Sequence, residues 1–268
     1  MKVVHGIEAL ERSNGRIFVV VGVFDGLHLG HEYLLRELAG AAAAREAASA
    51  VITFDHHPDE IITGVAPPLL CDPTERLDRL AAAGVALTVV QTFDVALRMT
   101  PYDVFVRRIA ERVDLAGFLM TPESAFGHDR GGNPEAVAEL GRVLGYDVVI
   151  VPPFLVDGRP VSSGEIRRAI ADGRLRDAKR LLGRAYSIVG TATATGPDAE
   201  LRFAMPIALP PAGEYPVEVD GNRQAAAAIE RSGRVLLRGG ASDAAPVRIT
   251  FRSEGLPDPT LAATIRRS

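Results

Sequence analysis

The sequence predicts an α/β chain: a parallel sheet covered by helices, followed by a small antiparallel β-barrel-like domain. Three observations carry this. Apolar runs of strand length alternate with helical patterns through the first two-thirds of the 268 residues. Such alternation implies right-handed crossovers and a parallel sheet with both faces covered. A glycine-rich turn, Gly22-Val23-Phe24-Asp25-Gly26-Leu27-His28-Leu29-Gly30-His31, joins the first long apolar run to a helical pattern. After Arg184 the texture changes to short strands separated by Gly and Pro.

The elements follow in order. The first strand is expected over 17–23, opening on the wholly apolar Ile17-Phe18-Val19-Val20-Val21. A helix over 31–46 comes next, then a strand at Ala50–Phe54 and a helix over 73–83. Leu87–Gln91, Gly117–Met120 and Asp147–Val151 read as further strands, with helices over 102–112 and 134–144. Asp72-Pro73 and Thr100-Pro101 each read as an N-cap followed by proline at the first helical position. Gly84 and Gly145 stand where helix C-caps fall. Two more helices, 163–171 and 174–182, close this region, so the domains are expected at 1–184 and 185–268. Beyond the boundary, strands are expected at Tyr186–Val189, Gly213–Val219, Arg234–Leu237 and Val247–Phe251. The alanine runs 41–44 and 225–228 receive no assignment of their own, and 256–268 reads as a loosely held tail.

Composition excludes several classes. Hydrophobic residues make up 47% and charged residues 24%, which suits a packed core rather than disorder. The net charge of −4 gives no electrostatic reason to expect nucleic acid or an anionic membrane as partner. Cys71 is the single cysteine, so no intrachain disulfide can form. The opening Met1-Lys2-Val3-Val4-His5 is too short and polar for a signal peptide, and no apolar run reaches membrane-spanning length. The expected location is cytoplasmic. The oligomeric state is not legible.

The turn at 22–31 carries the clearest chemistry. Glycines let the backbone approach phosphates, and a helix N-terminus offers N–H groups and positive potential. His28 and His31, three apart at the helix start, can donate to phosphate oxygens as negative charge develops. A catalytic zinc pair would want i, i+4 spacing and a third ligand instead. Three later segments stand beside it: Phe54-Asp55-His56-His57-Pro58, Phe126-Gly127-His128-Asp129-Arg130-Gly131-Gly132, and Val161-Ser162-Ser163-Gly164-Glu165-Ile166-Arg167. Ser162 or Ser163 caps the helix there, and Arg167, one turn in, reaches the same anion. Taken alone, the first two of these also read as surface loops and the third as a plain helix cap.

With these motifs in order, residues 1–190 resemble the bacterial FAD synthetases, the bifunctional riboflavin kinase/FMN adenylyltransferases with the HxGH signature. The resemblance rests on GxFDGxHxGH at 22–31, FxPHP at 54–58 with His56 in place of proline, and FGxxRxG at 126–132. It extends to ISSTxIR at 161–167, with Gly164 and Glu165 as substitutions, and to Leu182–Gly190. It implies a Rossmann-like nucleotidyltransferase domain that moves AMP from ATP to FMN, with Mg²⁺ accompanying ATP. It implies His28, His31 and Arg167 as catalytic residues. The ATP site would comprise Gly22, Val23, Phe24, Asp25, Gly26, His28, His31, Ser162, Ser163 and Arg167. Asp55, His57, Pro58, Glu123, Phe126, Gly127 and Arg130 would face FMN, and Asp25 and Glu123 are the metal candidates. The family pattern has Asp or Asn at Glu123, Phe at Ser124 and Gly at Thr121, so the acceptor side has drifted.

The second domain departs further. The kinase barrel of the family carries a PTAN signature after a glycine turn. Here Gly190 leads to Thr191-Ala192-Thr193-Ala194-Thr195-Gly196, with no PTAN, in a region shorter than the family's kinase domain. Leu209–Tyr215 still resembles the next barrel strand. A degenerate barrel without kinase activity is the expectation. Two other readings stay open: adenylyl or cytidylyl transfer to a different phosphorylated acceptor, and a catalytically weak nucleotide or flavin sensor.

Overall fold

The structure, a computed structural model, describes residues 1–221, 223–240 and 246–252. The tail expected over 256–268 lies outside them. The chain divides into two compact units, Met1–Pro67 with Pro73–Pro160, and Pro68–Asp72 with the chain from Val161 on.

The first unit holds six parallel strands: β1 (Lys2–His5), β2 (Arg16–Val21), β3 (Ala48–Phe54), β4 (Leu87–Gln91), β5 (Asp114–Met120) and β6 (Asp147–Ile150). They lie in the order β1-β4-β3-β2-β5-β6. From β2 the chain winds outward through β3 to β4 and then, in the other direction, through β5 to β6. The sheet is therefore doubly wound, and its order reverses at β2. Ligands of such sheets bind outside the carboxyl ends of the strands at that reversal.

The helices are α1 (Leu29–Ala43), α2 (Pro58–Thr63), α3 (Pro73–Ala82), α4 (Val95–Arg98), α5 (Tyr102–Ala110) and α6 (Pro134–Leu144). Alternate residues of β2 serve opposite faces. Ile17 and Val19 pack in the core with Phe105 and Ile109 of α5 and Val137 of α6. Phe18 and Val20 pack with Leu35 and Leu38 of α1 and Leu80 of α3. A strand buried on both faces must be apolar throughout, which is why 17–21 reads as an unbroken run.

Several expected boundaries shift. Helix α1 begins at Leu29 rather than 31, because His28 caps it. Pro101 is itself the N-cap of α5, while the Thr100 hydroxyl turns back to donate to the Ala96 carbonyl at 2.8 Å. Strand β5 starts at Asp114, three residues early, since Leu115 and Ala116 bury their side chains although a bulge interrupts the pairing with β2. Gly145 ends α6 at φ +80°. A small hairpin of β7 (Leu155–Val156) and β8 (Arg159–Pro160) closes the unit.

The second unit contains α7 (Ser163–Ala171), α8 (Leu175–Leu182) and six strands: β9 (Ser187–Thr195), β10 (Asp198–Arg202), β11 (Gly213–Val219), β12 (Arg223–Ile229), β13 (Val235–Leu237) and β14 (Pro246–Phe251). The strands form a closed antiparallel barrel in the order β10-β13-β12-β11-β14-β9. Apolar side chains such as Ile188, Val217, Leu237 and Ile249 are fully buried there. The alanine run 225–228 lies within β12, paired throughout with β11 and, at Ala227 and Ala228, also with β13.

The division between the units falls ahead of residue 184 because α7 and α8 pack on each other, and α7 is tied to the 68–72 segment. Arg167 Nε donates to the Pro68 carbonyl at 2.9 Å. The Leu69 amide donates to Pro206 and the Ala208 amide to Leu69, both at 2.8 Å. Among the described residues, no helix is long and apolar enough to cross a membrane.

Candidate active site

The turn after β2 is built from unusual backbone. Phe24 and Leu27 adopt φ of +54° and +33°, and Gly26 +77°. For side chains other than glycine such conformations cost about 1–3 kcal/mol each and persist only where the surroundings enforce them. Here the surroundings do. The Phe24 ring folds back over Gly22, where an added Cβ would lie 3.1 Å from it. Phe24, Asp25, Leu27 and His28 are all buried. Two side chains brace the turn from outside. Thr53 Oγ1 donates to the Val23 carbonyl at 2.9 Å, Arg76 Nη1 to the same oxygen at 3.1 Å, and Arg76 Nη2 to the Phe54 carbonyl at 2.7 Å.

His28 is the N-cap of α1, and its Nδ1 accepts the His31 amide at 3.3 Å. An accepting Nδ1 carries no proton, so the neutral ring holds its N–H on Nε2. The His28 and His31 rings stack at 3.8 Å with 16° between planes, and Phe24 lies 5.0 Å from His31. The structure thus brings both histidines, the strained turn and the start of α1 together at the carboxyl end of the switch strand. That set supplies N–H donors and a helix N-terminus for anionic oxygens.

The segment after β3 is a second cap. His57 precedes α2, its Nδ1 accepts the Asp59 amide at 3.2 Å, and Pro58 takes the first helical position. Asp55 Oδ1 accepts the amides of His56 at 2.8 Å and Phe93 at 3.0 Å, joining the exits of β3 and β4. Partial burial pushes its carboxyl up, but hydrogen bonds from the Phe93 amide, the Thr92 hydroxyl and His56 outweigh this and hold it below the usual carboxylate range.

The loop after β5 is closed by Phe126 and Gly132, paired through hydrogen bonds of 3.3 and 2.9 Å. Gly127 needs its φ of +76° and its missing side chain, since a Cβ would lie 2.6 Å from the Tyr102 amide. Asp129 and Arg130 are adjacent left-handed residues at +50° and +57°. Arg130 Nη2 donates to the Glu123 carbonyl at 2.9 Å, so these two candidates do meet. The Phe126 ring lies against Phe105 and Phe118, and Ser124 Oγ bonds to Thr121.

In the second unit, Ser162 caps α7, accepting the Glu165 amide at 3.2 Å, and Ser163 is its first residue. Arg167 Nε is engaged by Pro68 as described above. Among the described residues, no cluster of three or more His, Cys, Asp or Glu side chains could hold a metal.

Sequence reading passed over Thr53 and Arg76. Arg76 lies four residues before Leu80, hence on the same helical stripe, and both are buried. A cation on a core-facing stripe was the available signal. Thr53 gave none, because a threonine inside a buried strand is common.

The family model described as FAD synthetase matches residues 10–165. The bifunctional riboflavin kinase/FMN adenylyltransferase of Escherichia coli (strain K12) is 30% identical over 193 residues, covering 71% of this chain and 62% of that protein. The protein of the same description from Buchnera aphidicola subsp. Acyrthosiphon pisum is 25% identical over 192 residues, covering 71% and 61%. The matched part thus spans about three-fifths of these relatives. In fold, the chain is similar to the crystal structure of a macrolide-efflux protein from Streptococcus pneumoniae, with TM-score 0.78 and 21% identity over 99% of this chain and 96% of that one. With the switch-strand turn, its paired histidines and a family match over more than half its length, the chain belongs to the FAD synthetase family.

Proposed function

We propose that this protein transfers AMP from ATP to FMN, giving FAD and pyrophosphate. The observation that carries the reading is the Gly22–His31 turn: strained, buried backbone at the switch strand, with His28 capping α1 and stacked on His31. An oxygen of the FMN phosphate attacks the α-phosphorus of ATP in line. The bond from that phosphorus to the bridging oxygen breaks, and pyrophosphate leaves. No covalent intermediate is needed, so the protein's task is positioning and charge stabilisation. His31 is assigned to the α-phosphate, and the backbone of Gly22–Gly26 to adenosine and phosphate contacts. His28 orients His31 through the cap and stack. The α7 start, with Ser162, Ser163 and Arg167, offers the same anion chemistry. Mg²⁺ carried in with ATP would neutralise polyphosphate charge at the turn. Asp25 in the turn is the side chain assigned to it, with Glu123 second.

Asp55, His57, Pro58, Glu123, Phe126, Gly127 and Arg130 are assigned to the acceptor side. A second reading keeps adenylyl or cytidylyl transfer but changes the phosphorylated acceptor. It is favoured by the Phe126 ring facing the core and Ser124 turned onto Thr121, which leave that loop without an aromatic wall for a flavin.

The test is pyrophosphate release from ATP and Mg²⁺ across FMN, riboflavin and other phosphorylated acceptors. Turnover with FMN alone is expected. His31→Ala should lower kcat by roughly 10²–10³ while the protein stays folded. Turnover only with another acceptor selects the second reading, and ATP binding without any turnover marks a sensor. Near-normal rates in His31→Ala overturn the assignment of that residue.

A further inference from the structure

We propose that Arg76 is a positioning residue for nucleotidyl transfer: a buried guanidinium that locks the strained Val23–Phe24 peptide of the turn to the end of β3. The inference rests on the adenylyl-transfer reading of that turn.

Arg76 is an awkward residue where it stands. It occupies the first turn of α3, where the helix dipole disfavours a cation, and it is buried. Removing a charge from water is costly unless hydrogen bonds replace the lost solvation. Two charge-assisted bonds do so, and they span two strands. Nη1 reaches the Val23 carbonyl beyond β2, and Nη2 the Phe54 carbonyl at the end of β3. Only a planar fork presents donors in that arrangement. Thr53 Oγ1 takes the second lone pair of Val23.

The consequence lies at the next residue. A peptide is planar, with its C=O and N–H pointing in opposite directions. Anchoring the Val23 oxygen by two donors therefore also fixes the direction of the Phe24 amide. Phe24 is the residue held at φ +54°. Without its anchors, this peptide is free to rotate and Phe24 to relax toward ordinary dihedrals, spoiling the geometry of the turn before any ligand arrives. Arg76 acts through the backbone, by holding the Val23 oxygen.

Arg76→Lys is the first test, because it keeps the charge but replaces the fork by a point donor. The expected result is a kcat per folded molecule lower by about 10–100-fold, with KM for FMN nearly unchanged and the thermal midpoint lowered by the lost bond to a buried charge. Thr53→Val removes the other anchor and should lower kcat in the same direction. The double variant should fall short of the product of the two effects, since both donors hold one oxygen. A merely structural residue would lower the thermal midpoint alone and leave kcat per folded molecule intact. Folded Arg76→Lys with kcat and ATP affinity within about twofold of the parent overturns the proposal. Should Arg76→Lys fail to fold, an unchanged kcat in Thr53→Val overturns it. A parent protein that makes no FAD overturns the functional reading alone. The affinity of parent and Arg76→Lys for a non-hydrolysable ATP analogue then decides: tenfold weakening supports the role, and equal affinity ends it.

Discussion

Asp55 and His28 share a device at the residue scale: each side chain accepts backbone amides where a loop leaves a strand. His28 does so as a cap, and Asp55 by clasping the amides of His56 and Phe93. The consequence for Asp55 is a pH dependence with a definite sign. Its carboxyl is held below the ordinary value by hydrogen bonds that outweigh burial. The folded state thus binds a proton there less readily than the unfolded chain. The stabilisation is present above the unfolded value of about 3.9 and is lost as pH falls through the lower folded value. The thermal midpoint of the wild type should exceed that of Asp55→Asn at neutral pH, and the gap should close on acidification. A gap that stays constant down to pH 3 rules out the charge as its source. The histidines of the donor turn were readable as a pair because they stand three apart beside glycines. Their stacking was not, since ring orientation depends on χ angles chosen by Phe24 and the helix start.

At the scale of elements, the pairing of β2 with β5 is irregular near its start. The register shifts between Ile17 and Phe18, and Gly117 takes φ +154° opposite Phe18. A Cβ on Gly117 would lie 2.2 Å from the Asp147 carbonyl and 2.5 Å from the Phe18 ring. Backbone cannot yield as a flexible side chain can. Gly117→Ala should therefore destabilise the protein by roughly 3 kcal/mol or more, measured by denaturant unfolding. A loss under about 1 kcal/mol would show that the strands can separate there cheaply. Amphipathic helices such as α3 and α6 were legible because proline, glycine and periodicity are local signals. Strand β12 was not, because its alanines have little intrinsic preference for a strand and acquire one only by pairing with β11 and β13. The short β1 escaped as well: its four residues lie in a strand through pairing with β4.

For the whole molecule, the two units pose separate chemical questions. The first carries the turn assigned to ATP. The second is a closed barrel packed with apolar side chains, in which Gly190 is followed by Thr191-Ala192-Thr193 rather than a PTAN segment. We expect no riboflavin kinase activity. Pure protein mixed with riboflavin, ATP and Mg²⁺ should form no FMN, and appreciable FMN on chromatography refutes this.

The sequence by itself determined the parallel α/β unit and the donor turn, because both are written in contiguous residues: apolar runs of fixed length, a glycine turn, two histidines and helix caps. Tertiary structure alone decided what holds that turn. Thr53 and Arg76, 30 and 53 residues from Val23, converge on one carbonyl. It also decided the order in which the barrel strands pair, β10-β13-β12-β11-β14-β9. Such outcomes depend on which distant groups a fold brings within hydrogen-bonding distance, and no local pattern encodes that.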